Sequence, residues 1–217
     1  MSRFLSPILL FVHGWAFDRS FWTPLVRSLE NHVSVIVWDL GFRGSASFVS
    51  APPSNRPIVA VGHSFGLMWL LREHPVFWSA LVSINGFPRF SKSPDFPLGV
   101  APRVLERMIT RLDAEPQVVT RDFLVRCGVA APQTEGLDVA RLRWGLEALA
   151  QWDQRASLLS ETPTLALAGR SDPIVSAAMT REVFASVPVE WHDGGHLLPI
   201  TAPDWCAACL RSFLETL

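Results

Sequence analysis

The sequence predicts an α/β domain: a mostly parallel sheet with helices on both faces and a helical insertion in its second half. Three observations carry this. Aliphatic runs of four to six residues recur, most ending at glycine or a polar residue and most lacking alternation, as strands buried on both faces require. Amphipathic stretches lie between them, and repeated strand–helix–strand order builds a parallel sheet. One long interval, Gly86 to Pro163, contains no strand candidate.

The first run, Ile8–Val12, stops at His13-Gly14, and a helix is expected over Phe17–Glu30 with Asp18 as its N-cap. Val33–Trp38 stops at Asp39 and Ile58–Val61 at Gly62. A helix over Leu67–Glu73 then ends before His74-Pro75. Leu81–Ile84 runs into Asn85-Gly86. The strand-free interval begins with Pro88, Pro94, Pro97 and Pro102 and continues as three amphipathic segments. Pro102 and Pro116 sit where helices begin, and Gly128 where one ends. Leu165–Ala168 stops at Gly169, a helix follows over Ser176–Ala185, and Val189–His192 leads into Asp193-Gly194-Gly195. A helix over Asp204–Leu217 closes the chain. The expectation is a single domain over 1–217 with 86–163 as a helical lid. Ligands of open α/β sheets bind beyond the carboxyl ends of the strands, where such an insertion would cover them.

Composition narrows the function. With 217 residues, 49% apolar and 18% charged, the chain fills a sizeable core. Its net charge of −1 provides no basic field for nucleic acid. Three cysteines cannot form a closed disulfide framework. Cys206 and Cys209 spell C-x-x-C but lie on the last helical segment rather than after a strand, which argues against redox chemistry. No apolar run approaches the ~18 residues of a membrane span. The apolar stretch to Val12 is broken by Pro7 and feeds directly into His13-Gly14-Trp15, so it is not read as a leader. A cytoplasmic protein is expected, without a membrane partner, as a monomer or weak dimer. Neither H-x-x-E-H, paired-histidine spacing, Walker A nor G-x-G-x-x-G occurs, so no metal and no cofactor are expected.

Gly62-His63-Ser64-Phe65-Gly66 matches G-x-S-x-G between a strand and a helix. A turn this sharp pushes the serine out above the sheet, and glycine is needed where the flanking backbones crowd. A serine hydroxyl is a weak nucleophile and needs a base held by an acid. Of six histidines, His196 follows Gly194-Gly195 in the loop beyond the last strand candidate, the place from which it could reach Ser64. Asp172, in Gly169-Arg170-Ser171-Asp172-Pro173, lies just past Leu165–Ala168. It reads either as the acid or as an N-cap of the next helix, with Asp193 and Asp204 as alternative acids. The order Ser64, Asp172, His196 suits this kind of sheet. Backbone N–H groups of Phe65 and Trp15 are the candidate oxyanion donors. Trp15, Phe87, Phe123 and Trp144 are candidates for an apolar substrate site, each also readable as ordinary core.

Together, His-Gly-Trp, Gly-His-Ser-Phe-Gly, Gly-Arg-Ser-Asp-Pro and Gly-Gly-His resemble the α/β-hydrolase superfamily over almost the whole chain. Within it, the sequence is similar to the pimeloyl-[acyl-carrier protein] methyl ester esterases of biotin synthesis. The carrying stretches are His13-Gly14-Trp15, Asp39-Leu40-Gly41-Phe42-Arg43-Gly44-Ser45, Gly145-Leu146-Glu147 before Asp153, and Asn85-Gly86-Phe87-Pro88-Arg89-Phe90. The resemblance implies a serine carboxylesterase acting on a small ester, with the pimeloyl methyl ester on an acyl carrier protein as the substrate it points to. Two departures stand out. Strands that precede His-Gly in the family are missing, so the fold is read as trimmed at the N-terminus. The short Pro- and Ser-rich stretch from Ser45 to Ile58 cannot hold the family's full helix. Lactone or C–C bond hydrolysis, cofactor-free haloperoxidase chemistry and a non-catalytic ligand receptor remain alternatives on the same scaffold. A serine at position 64 argues against the dehalogenases and epoxide hydrolases, which use aspartate there.

Arginine placement adds a last candidate. Arg103, Arg107 and Arg111 are four apart, a drift of about 40° per step, so they share one helix face, with Val104, Leu105, Met108, Ile109 and Leu112 read as a buried stripe. The face is either a solvated one with Arg103–Glu106 pairs or a dock for an acidic carrier protein.

Overall fold

In the computed structural model, which describes residues 7–29, 33–48, 56–158 and 161–217, the aliphatic runs pair into one parallel sheet. Its strands are β1 (Ile8–Val12), β2 (Ser34–Trp38), β3 (Ile58–His63), β4 (Ala80–Ile84), β5 (Thr164–Gly169) and β6 (Val189–His192), in the spatial order β2-β1-β3-β4-β5-β6. Every residue of β1 and β4 is buried, which explains why these runs do not alternate. The chain steps outward from β1 to β2 and then crosses back to place β3 on the other side of β1. That reversal lies between β1 and β3, so the loops after these strands, which carry Trp15 and Ser64, open at the switch point where open α/β sheets bind ligands.

Helices connect and flank the sheet. They are α1 (Thr23–Leu29), α2 (Phe65–Glu73), α3 (Pro102–Leu112), α4 (Pro116–Cys127), α5 (Val139–Gln151), α6 (Arg155–Leu158), α7 (Ala177–Val183), α8 (Leu198–Thr201) and α9 (Pro203–Leu214). The helix expected over Phe17–Glu30 is split: Asp18 caps a 3-10 turn over Arg19–Trp22, and α1 starts afresh at Thr23. Pro24 is the reason, since it has no N–H to donate to a preceding turn and fits only near a helix start. The end of that expected helix, at Glu30, lies outside the described residues, as do residues 49–55 of the Ser45–Ile58 stretch. The expected Asp204–Leu217 helix is preceded by the separate turn α8 and begins at Pro203, a favoured first position.

Helices α3 to α6 all lie between β4 and β5, as an insertion. Its two ends meet: Arg89 and Asp153 pair as an antiparallel bridge and as an ion pair, and the Gln154 N–H donates to Pro88 O at 2.8 Å. Arg155 adds ion pairs to Asp153 and Asp95. Val104, expected in the buried stripe of α3, is 37% exposed, while Leu105 and Leu112 are buried. Burial raises the Cys206 and Cys209 thiols on α9, opposite to the lowered values of reactive cysteines. Among the described residues, no helix is long and apolar enough to cross a membrane, and no cluster could hold a metal ion.

Candidate active site

Ser64 stands between β3 and α2 with φ 53° and ψ −123°, a strained conformation for a side chain. The crowding that demands glycine on either side is measurable. A Cβ at Gly62 would lie 2.5 Å from Leu67 Cα, and one at Gly66 would lie 2.2 Å from Val12 O. The serine side chain caps nothing in α2. The N–H of Phe65, first residue of α2, is among the groups a helix start leaves without an intrahelical partner.

Asp172 and His196 are brought together after β5 and β6. His196 Nδ1–H donates to Asp172 Oδ2 at 2.7 Å, and both residues are buried. The other carboxylate oxygen accepts the N–H groups of Ile174 at 2.7 Å and Val175 at 3.0 Å. The N-cap of α7 is Ser176, not Asp172. Neither alternative acid pairs with His196 among the described residues: the Asp193 side chain is 95% exposed beside Arg170, and Asp204 accepts the Ser28 hydroxyl at 2.7 Å. With Nδ1 engaged, His196 Nε2 is buried and has no hydrogen-bond partner among the described residues. His63, next to Ser64, has its ring 4.8 Å from the His196 ring and donates Nε2–H to the His196 carbonyl at 2.9 Å. Burial, with His196 close by, holds His63 well below the ordinary histidine value, so this ring is neutral.

The loop carrying Trp15 is fixed from below. His13 Nδ1–H donates to Gly14 O at 2.9 Å, and its Nε2 accepts the Leu40 N–H at 3.0 Å. Burial alone would raise the Asp39 carboxyl, but the N–H groups of Gly41 and Arg19, each accepted at 2.9 Å, hold it below its usual value. A Cβ at Gly14 would be 3.0 Å from Ser64 Cβ, so the two loops touch.

A cavity of about 540 Å³ is lined almost wholly by residues of the insertion, and Trp15 and Phe123, 4.9 Å apart edge to face, both border it. Phe90, Leu146 and Ile174 are further apolar walls that the sequence did not single out. Phe87 and Trp144 are placed elsewhere. Phe87 is buried behind Phe90, and Trp144 packs among Phe42, Phe65 and Trp152. Ser64 and His196 do not border the cavity in this structure, but Trp15 and Ile174, which do, belong to the loops that flank them. Arg103, Arg107 and Arg111 also line it, joined by Arg126 of α4. Arg111 pairs with Glu115; among the described residues neither Arg103 nor Arg107 has an ion-pair partner, and Arg103–Glu106 does not form.

The insertion is tied to this site by polar contacts. The Trp15 indole donates to Leu142 O of α5 at 2.8 Å, and Arg126 donates to Pro173 O at 3.3 Å. Gly145 lets α5 approach: a Cβ there would lie 2.5 Å from Trp15 Cδ1 and 2.9 Å from Phe42 Cε1. Gly145→Ala is therefore expected to destabilise toward the upper end of the ~1–3 kcal/mol range for overpacking, more than the ~1 kcal/mol alanine gains in an open helix. Thermal unfolding should show a Tm lowered by about 2–8 °C; a raised Tm would mean that Trp15 yields freely.

Comparisons with known proteins bear on the family and the fold. The model of the alpha/beta hydrolase family matches residues 9–209. A pimeloyl-[acyl-carrier protein] methyl ester esterase of Legionella pneumophila (strain Paris) is 30% identical over 77% of this chain and 76% of its own length. One of Xylella fastidiosa (strain M23) is 25% identical over 98% of this chain and 96% of its own. The structure of an esterase from Exiguobacterium antarcticum superposes with a TM-score of 0.81 over 97% of this chain and 92% of that one, at 16% identity, a likeness of fold alone.

Proposed function

The chain belongs to the alpha/beta hydrolase family, and on that premise we propose that it is a serine carboxylesterase working through an acyl-enzyme. One observation carries the reading: His196 has one ring nitrogen held by a buried carboxylate and the other buried without a partner among the described residues, and its ring lies 4.8 Å from that of His63, the neighbour of a strained serine. That is the arrangement of a base with a single vacancy. Ser64 Oγ attacks the ester carbonyl while His196 Nε2 takes its proton. Asp172 keeps the proton on Nδ1 and stabilises the imidazolium. The oxyanion receives the backbone N–H groups of Trp15 and Phe65. His196 then protonates the departing alcohol, and a water activated by the same histidine releases the acid.

The insertion serves as lid, and the cavity walled by Trp15, Phe123 and Leu146 takes the apolar acyl part. The relatives named for a methyl ester on an acyl carrier protein favour a carrier-presented ester here. The guanidinium groups of Arg103 and Arg107, without ion-pair partners among the described residues, supply with Arg111 the positive rim that an acidic carrier would meet.

The test compares p-nitrophenyl esters of increasing acyl length with a methyl ester presented on an acyl carrier protein. Short to medium apolar acyl groups are expected to react well and strongly charged ones poorly; equal rates for all would contradict an apolar acyl site. Reversing Arg103, Arg107 and Arg111 to Glu should lower kcat/KM for the carrier-bound ester relative to p-nitrophenyl acetate by roughly tenfold or more at low salt, and by less at high salt. If that ratio is unchanged at low salt, the arginines do not receive a carrier.

A further inference from the structure

We propose that Asn85 is a positioning residue, holding the His196 loop in register with Asp172; the inference rests on the serine-esterase reading for its catalytic consequence. Asn85 follows β4 and is 3% exposed, with φ 47°. Its side chain spans two loops. Oδ1 accepts the Gly169 N–H at 2.8 Å, at the end of the strand leading to Asp172. Nδ2 donates to Gly195 O at 3.0 Å and to His196 O at 2.9 Å. Its own N–H donates to Leu167 O at 2.8 Å, and the preceding carbonyl, Ile84 O, accepts the Ser64 N–H at 3.2 Å. Asn85 thus bonds the backbone of the two elements that carry Asp172 and His196, and the residue before it bonds that of Ser64.

The chemistry of the position selects asparagine. The left-handed backbone suits Gly, Asn and Asp best. Glycine has no side chain to bridge the loops, and aspartate has no donor for two carbonyls. Only the amide offers an acceptor on one side and two donors on the other. The contact is also close: a Cβ on Gly169 would lie 2.4 Å from Gly195 O, so the two loops abut and a small slip in one must displace the other. Loss of the amide would let His196 drift from Asp172, and misplacement on the order of 1 Å costs about 10²-fold in rate.

The experiment uses two variants of the whole chain. Asn85→Gly relieves the backbone and removes the bridge. Asn85→Asp keeps the shape and the acceptor but sets a carboxylate oxygen against two carbonyls. Each is assayed for kcat and KM on a p-nitrophenyl ester, and for the downfield proton signal of His196 Nδ1–H, identified by its loss in His196→Ala. Expected in both is a kcat lowered roughly 10- to 100-fold with KM within about twofold, and a His196 signal broadened by exchange with solvent. If either kcat or the signal stays as in the unaltered protein in whichever variant folds, Asn85 is a packing residue and the proposal fails. An unaltered protein with no such signal overturns it at once, because no held pair exists. Should the unaltered protein hydrolyse no ester, the signal alone decides: its loss in the variants keeps the clamp while the esterase reading falls, and its survival removes the clamp as well.

Discussion

Ser64→Ala is expected to lower ester hydrolysis by about 10⁴-fold or more while leaving the fold in place. The loss follows from removing the only atom proposed to bond the acyl group. The fold should survive because the hydroxyl caps no helix and the strained backbone at this position is the same for alanine. What holds the elbow is the approach of Gly62 and Gly66 to Leu67 and Val12, which the substitution does not touch. Rates on a p-nitrophenyl ester, with thermal unfolding alongside, make the check. Near-normal turnover in a preparation free of contaminating esterase would take Ser64 out of the mechanism.

Asp172 and His196 are expected to act as one unit. His196→Ala should cost roughly 10⁴-fold or more and Asp172→Asn roughly 10²- to 10⁴-fold, with the double variant little worse than the more damaging single. Additive losses are the expectation for independent groups, and non-additivity reports a shared step. Asp172→Asn damages the base through its tautomer. An amide can present its NH₂ to Nδ1 and so move the histidine proton to Nε2, where it blocks the attack on the serine proton. Asp193→Asn should be silent, since that carboxylate is exposed beside Arg170. A silent Asp172→Asn with a damaging Asp193→Asn would reverse the choice of acid.

Much of the frame was legible before the structure because its causes are local. Strands β1 and β6 end where the apolar runs end, since the next residues are a glycine turn or a polar group that cannot be buried on both sheet faces. The elbow was legible for a steric reason: a Cβ at Gly62 or Gly66 would come within 3 Å of neighbouring backbone. The rest depends on partners distant in sequence. Nothing near Asn85 announces that its amide meets a loop more than a hundred positions later. Phe87 and Trp144 differ from Phe90 and Phe123 only in which way the insertion turns them, and that is decided when α3 to α5 pack. The stripe on α3 was misassigned at Val104 for the same cause: helical spacing fixes which residues share a face, not whether the face meets core, cavity or water.

The bridge between Arg89 and Asp153, with Gln154 bonded to Pro88, has a consequence for how this chain tolerates change. Because β4 and β5 pair directly and the two ends of the insertion are joined at the neck, the spacing of these strands does not depend on the length of what lies beyond it. Lengthening a flexible loop closed at such a neck costs only about 0.6 kcal/mol per doubling of its length. The insertion can therefore vary in length, provided that it keeps the contacts of Leu142 and Gly145 with Trp15. Grafting a longer or shorter helical segment between residues 90 and 152 should alter which acyl groups are accepted while the sheet, and the loops bearing Ser64, Asp172 and His196, keep their mutual positions.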